Sequence, residues 1–348
     1  MSTFIIIIGA IICFGLIVFA HELGHFLTAL WNKIPVEEFA MGMGPLLFTR
    51  ERKGIRYSLR LLPIGAYVRL VGDEESKDEE ARLVYQTIPV GKRIAMTFAG
   101  PLFNFILAVF IFSIICVVNG IASDKPIIGQ VRPDSIAQEA GFMDGDMVLS
   151  VDGVKVELWT QLVSIINVAP ERELLFVISR ADPVSGDSYG TDITVTPERS
   201  ASDGLGRIGI IASIERYNIL GSFRMGLANT VDAIALFYTS IYGAIRDRQA
   251  PELIGPVGII QVTGEVAKNG LSDLLWFMGF ISINLGVVNL LPVPPLDGAR
   301  ILLMTIEKIR GKPLNPEREG MIHFIGYICL LSLIAFVTFG DIWRIFSN

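Results

Sequence analysis

Three cysteines and three histidines are all that this chain of 348 residues holds of two residue types that commonly bind transition metals. The cysteines, Cys13, Cys116 and Cys329, each fall inside an apolar run, so no disulfide framework is indicated and they read as small packing residues. A metal site here must therefore be built from histidine and carboxylate. Charge is scarce too: 18% of residues carry one, and the balance of −6 leaves no basic footprint for nucleic acid. The N-terminus lacks the basic start of a signal peptide, and its apolar run reaches no small-residue cleavage site. What is plentiful is apolar surface. At 51% hydrophobic, part of the chain must be solvated by lipid.

Spans are expected at about 4–30, 94–119, 273–292 and 321–343, each close to the roughly 20 apolar residues that cross a bilayer. The first is the informative one, because the uncharged run Phe4–Ala20 leads into His21-Glu22-Leu23-Gly24-His25. On a helix His21 and His25 are i and i+4, so both imidazoles project from one face. That spacing suits two ligands of one zinc ion, with Glu22 placed to act as general base. Ionisable residues at the end of a span are costly and mark functional sites by default. Meeting headgroup water is their bland alternative.

Residues 32–93 carry eleven Lys/Arg and 298–320 carry five, while the N-terminal tail carries none. The positive-inside rule then puts both segments in the cytoplasm and the long 120–272 segment outside. His21, about 25 Å along the helix from Phe4, would lie nearer the cytoplasmic side but still at membrane depth.

Other segments are placed by pattern. Gly42-Met-Gly44-Pro45 precedes two β-leaning stretches, Leu46–Arg52 and Arg56–Leu70, around Lys53-Gly54, which reads as a hairpin. Residues 72–82 are an acidic, solvated linker. Residues 218–250 form a helix whose stripe of Leu220, Phe223, Leu227, Val231 and Ile234 suggests an interfacial position, with a fifth, broken span as the alternative. Ile254-Gly-Pro256-Val-Gly258 reads as a turn-rich loop. Pro292, Pro294 and Pro295 stop the third span and imply extended backbone, tolerated at that depth only in a protein interior or a wet cavity. Asp297 follows at the start of a helix through Ile301–Ile309, as an N-cap or as a third metal ligand. His323, in the last span, reads as a packing residue.

The pentad at 21–25, the run Asn289-Leu-Leu-Pro292-Val-Pro294-Pro-Leu296-Asp297-Gly298 and the segment between them together resemble the site-2 protease family, in particular the bacterial regulator of sigma-E protease type. The segment from Pro126 to about Arg199 resembles a bacterial PDZ domain, on Ala140-Gly141 followed by Gly145-Asp146. The resemblance implies a polytopic α-helical membrane protein of about four spans, with a small membrane-associated β-sheet and an inserted extracytoplasmic PDZ domain (α+β). Its domains are expected at 1–119, 120–215, 216–272 and 273–348. It implies Zn2+ held by His21, His25 and Asp297, with Glu22 catalytic. Asn104 is expected to face the site or to pack a span, and Asn289 to bind substrate backbone or to satisfy its own helix. Gly42 and Gly44 belong to a sheet whose free edge would receive extended substrate. Ile127, Ile128 and Gly129 take the position of a PDZ carboxylate-binding loop, for binding peptide termini or for gating. The implied partners are membrane lipid and single-span substrates such as a pre-cleaved anti-sigma factor or remnant signal peptides, in a bacterial cytoplasmic (inner) membrane. A PDZ-bearing scaffold without activity is the alternative, and the presence of Glu22 argues against it. A metal transporter would want ligands on several polar spans, which are missing.

Overall fold

The computed structural model describes residues 3–72, 85, 87–181, 187–201, 203–247, 254–312 and 314–347. Residues 73–82 of the expected acidic linker lie outside the described residues. Two compact units are present, Met1–Ile115 with Ile219–Asn348, and Cys116–Asn218.

The chain starts with helix α1 (Thr3–Trp31), strands β1 (Val36–Arg52) and β2 (Ile55–Leu70), and helix α2 (Val90–Asn119). The second unit contributes β3 (Ile121–Ala122), β4 (Ile128–Val131), the single turn α3 (Ile136–Glu139), β5 (Met147–Val151) and β6 (Val154–Lys155). It continues with α4 (Trp159–Asn167), β7 (Leu174–Ala181), β8 (Ser188–Val195), β9 (Glu198–Arg199), β10 (Gly206–Arg207), β11 (Ile210–Ala212) and β12 (Ile214–Glu215). Five helices complete the first unit: α5 (Ile219–Arg246), α6 (Pro256–Asn269), α7 (Leu271–Asn289), α8 (Asp297–Arg310) and α9 (Pro316–Ser347).

Among the described residues four helical segments are long and apolar enough to cross a membrane: Ile11–Trp31, Val90–Asn119, Leu271–Asn289 and Glu317–Arg344. They are the four spans expected, except that the third stops at Asn289, ahead of the prolines. Lipid tails are as apolar as leucine, so such helices associate by close packing of small residues and not by hydrophobic burial. Gly24 of α1 shows this, since a Cβ there would lie 2.3 Å from the Ala99 carbonyl oxygen of α2. Gly226 of α5 does the same, with Ser113 Oγ 2.3 Å away. The inward face of α5 is small and polar, with Ser222 and Thr230 buried, and the apolar stripe of Leu220, Phe223, Leu227 and Val231 faces outward. These four residues of the expected stripe thus lie on the outer face of α5, where a helix next to lipid can leave them exposed. Ile254–Gly258 also departs from expectation: it runs into the first turn of α6, because Asp341 of α9 accepts hydrogen bonds from the Gly255 and Gly258 N–H groups at 3.3 and 2.8 Å.

The expected hairpin is present and folds on itself. Residues 36–43 pair with 66–70 on one side and with 56–62 on the other, and 46–52 pair with 55–60, so two strands make four rows. Glu38, 2% exposed in an inner row, meets Arg60 at 3.4 Å and Arg69 at 3.5 Å, one from each neighbouring row. One end of the sheet packs Val36, Leu70 and Phe39 on Phe26 and Ala29 of α1. Leu46, Leu47, Phe48, Leu59, Leu61 and Leu62, at the other, are all exposed.

In the second unit β5, β7 and β8 form an antiparallel sheet with β6 at its edge, and β4 pairs with β11. Period-two alternation puts Leu174, Phe176 and Ile178 inward, onto Ile128, Val148, Val151 and Leu162. From Ile128 to Val151 the chain runs strand, short helix, glycine turn and strand.

The base of α2 is tied to α8 by Arg93 and Glu307, whose Nη2 and Oε1 lie 2.6 Å apart with both side chains largely buried. Since α8 starts at Asp297, this ion pair sets that residue's helix. Glu307→Ala, which leaves a buried guanidinium unpaired, should cost about 3 kcal/mol of stability. Glu307→Gln, which keeps an acceptor, should cost clearly less. Denaturant unfolding of the micelle-solubilised chain measures both.

Candidate metal centre

The continuous helix through 21–25 sets His21 and His25 one turn apart, facing α2. Their Nε2 atoms are 3.2 Å from each other. Asp297, from the far end of the sequence, brings Oδ2 to 3.2 Å from His21 Nε2 and 3.4 Å from His25 Nε2. An ion held tetrahedrally at about 2.0–2.1 Å from nitrogen and oxygen ligands needs them about 3.3 Å apart. The triangle has that size. Its members are the one cluster of three or more His, Cys, Asp or Glu ligand atoms found among the described residues. Asp297 Oδ2 is enclosed and accepts no hydrogen bond, which is costly for a carboxylate unless a cation faces it. The residues therefore fit a small divalent cation.

The capping alternative for Asp297 does not hold. Leu296 occupies the N-cap of α8 without a side-chain cap, and Asp297 is the first helical residue, turned to the histidines. Gly298 lets this happen: a Cβ there would lie 2.3 Å from the Leu290 carbonyl oxygen, so α8 starts hard against the turn that ends α7. The segment 290–296 is not extended as expected. It is a chain of tight turns, with Val293 N–H bonded to Leu291 O and Leu296 N–H to Val293 O.

Helix α2 shapes the other side. A Cβ on Gly100 would lie 2.3 Å from His25 Nε2 and 2.9 Å from His21 Cε1, so only glycine admits both rings. Pro101 removes the helical donor of the Thr97 carbonyl and loosens the ladder at this turn. Next to it the Met96 carbonyl accepts from His25 Nδ1 at 2.9 Å. That bond leaves His25 Nε2 with its lone pair toward the triangle. Asn104, 0% exposed, has its side-chain amide 3.1 Å from His21 Nδ1, so it faces the histidine and not the surface. Sequence reasoning missed Gly100 and Gly298 as site residues; both lie beside recognised motif positions, and that adjacency was the available signal.

The remaining candidates are dispersed. Glu22 is half-buried beside the histidines, close enough to His21, His25, Asp297 and Arg300 to feel their charges. Asn289 closes α7, and its side chain makes no hydrogen bond among the described residues. Gly42 and Gly44 sit in β1 at φ of 86° and 82°, where the row bends. Ile127 and Ile128 do not form an open loop: their N–H groups bond to Lys125 O and Asp146 O, and Ile128 is core. Gly129 lies in β4, where a Cβ would strike the Ala212 carbonyl at 2.5 Å.

Against known proteins, the family description "Peptidase family M50" matches residues 9–333. The zinc metalloprotease RasP of Geobacillus kaustophilus (strain HTA426) is 34% identical, over 98% of both chains. The regulator of sigma-W protease RasP of Bacillus subtilis (strain 168) is 32% identical, over 98% of this chain and 99% of its own. Among solved structures, the PDZ domain of the SdrC-like protein from Listeria monocytogenes is similar over 26% of this chain and 88% of its own, at 18% identity and a TM-score of 0.21.

Two variants test the triangle by metal content. Asp297→Ala, which deletes a ligand atom, should reduce bound zinc from one equivalent to well below it. Gly100→Val, which fills the space of both rings, should do the same although it changes no ligand. Atomic absorption on purified protein reads both.

Proposed function

The chain belongs to peptidase family M50 and is an intramembrane zinc metalloprotease, and on that premise we propose the residues, substrates and topology of its reaction. His21, His25 and Asp297 hold the zinc, and the observation that carries this is their mutual spacing of 3.2, 3.2 and 3.4 Å, with an enclosed carboxylate oxygen at one corner of the triangle. When bound, zinc supplies Lewis acidity, making water acidic near neutral pH and polarising the scissile carbonyl. Glu22, on the same turn, takes the proton of the attacking water and returns it to the departing amine.

As a multi-pass membrane protein of this family it acts on membrane proteins. More narrowly, its substrates are single-span segments already shortened by another protease. Anti-sigma factors fit this class, in keeping with the sigma-W regulator among its relatives; remnant signal peptides are also included. A helical peptide bond is shielded by its own hydrogen bonds, so the substrate has to be drawn out before it is cut. The row 46–52, paired on one side only, can add an extended strand. Its exposed Leu46, Leu47 and Phe48 hold that edge in lipid, and Gly42 and Gly44 bend it. Asn289, at the end of α7, is offered to substrate backbone. The loops rich in Lys/Arg lie in the cytoplasm, and the second unit lies outside a bacterial cytoplasmic membrane.

Glu22→Gln tests the chemistry. Cleavage of a single-span substrate should fall by about 10²–10⁴-fold, the range expected for loss of a general base, while zinc content stays at the wild-type level. Wild-type cleavage by the variant would remove Glu22 from this role. Cells carrying it should accumulate truncated single-span proteins that proteomics can identify.

A further inference from the structure

Helix α2 presents one polar group to each histidine, and the two groups differ in kind. Met96, Gly100 and Asn104 are spaced i, i+4, i+8, so they form a single stripe of the helix. At one end the Met96 carbonyl, which can only accept, fixes a proton on His25 Nδ1. At the other stands the Asn104 side-chain amide, which can either donate or accept. Its Nδ2 lies 3.1 Å from His21 Nδ1, and its Oδ1 is enclosed with no hydrogen-bond partner. If Nδ2 donates, Nδ1 keeps a lone pair and a neutral His21 must carry its proton on Nε2. That proton would point into the triangle, toward Asp297 Oδ2 and His25 Nε2, and Nε2 could hold no cation. The amide has nearly the same shape after a half-turn, which brings Oδ1 to Nδ1.

We infer that Asn104 is a positioning residue whose side-chain oxygen accepts the Nδ1 proton of His21 and so keeps His21 Nε2 free to bind zinc. The inference rests on the reading of His21 as a ligand and adds the group that makes it one. Asn104 is 0% exposed, so it does not reach substrate in this state. Its backbone is also anchored, because its carbonyl accepts from Ser282 Oγ of α7 at 2.8 Å. The amide thus sits on a fixed stretch of helix that cannot drift from the ring.

The test is zinc affinity of the purified full-length chain, measured by competition with a chromophoric chelator. Asn104→Ala and Asn104→Leu remove the acceptor and should raise the zinc Kd by about 10–100-fold, as loss of a partner to a ligating histidine does. Asn104→Asp can only accept, so it should bind zinc at least as tightly as wild type. If Asn104→Asp binds as weakly as Asn104→Ala, or if neither Asn104→Ala nor Asn104→Leu weakens binding, the inference is overturned. A second measurement needs no variant at this position: in zinc-loaded wild type with ¹⁵N-labelled histidine, His21 Nδ1 should carry the proton. A proton found on Nε2 overturns the inference. His21→Ala separates the two layers. Undiminished zinc affinity there removes His21 as a ligand and the inference with it, whereas weakened binding in His21→Ala alone leaves the ligand set standing without Asn104.

Discussion

Two imidazoles and a carboxylate held within 3.4 Å of one another, largely out of water, are the constraint to which the first unit is fitted. Such groups are costly to desolvate unless a cation and fixed hydrogen bonds compensate. None of the three is placed by its own element alone. α1 aims both rings, α2 fixes the tautomer of one and makes room for both, and the turns after α7 deliver Asp297 at the first residue of α8.

Helix α2 is accordingly the template of the unit. Along its length it meets α8 through Arg93, α1 through Ala99, the histidines through Gly100, and α5 through Ser113. These are contacts of small residues and buried polar groups. That chemistry suits helices in lipid, where packing and hydrogen bonding replace hydrophobic burial as the source of association. The same logic explains why α5 turns its serine, glycine and threonine inward and its leucines outward.

Much of this was legible from the residues. A run of apolar residues reports a span because bilayer thickness is a length requirement, and histidines at i and i+4 must share a helical face. Two segments misled. Ile254–Gly258 read as a loop because its glycines and proline suit turns, but a carboxylate from Asp341 caps it into a helix. The prolines after Asn289 implied extended backbone, yet the chain there folds into successive turns.

By itself, the sequence determined which residues could bind a metal, since three histidines and no clustered cysteines leave few donor sets, and which stretches must lie in lipid. It could not determine that Asp297 meets His21 and His25, that Gly100 makes the space they share, or that Asn104 stands behind one ring. Those depend on contacts between residues far apart in the chain. Local patterning reports periodicity within one element, while the approach of one helix to another is decided only when all of them pack at once.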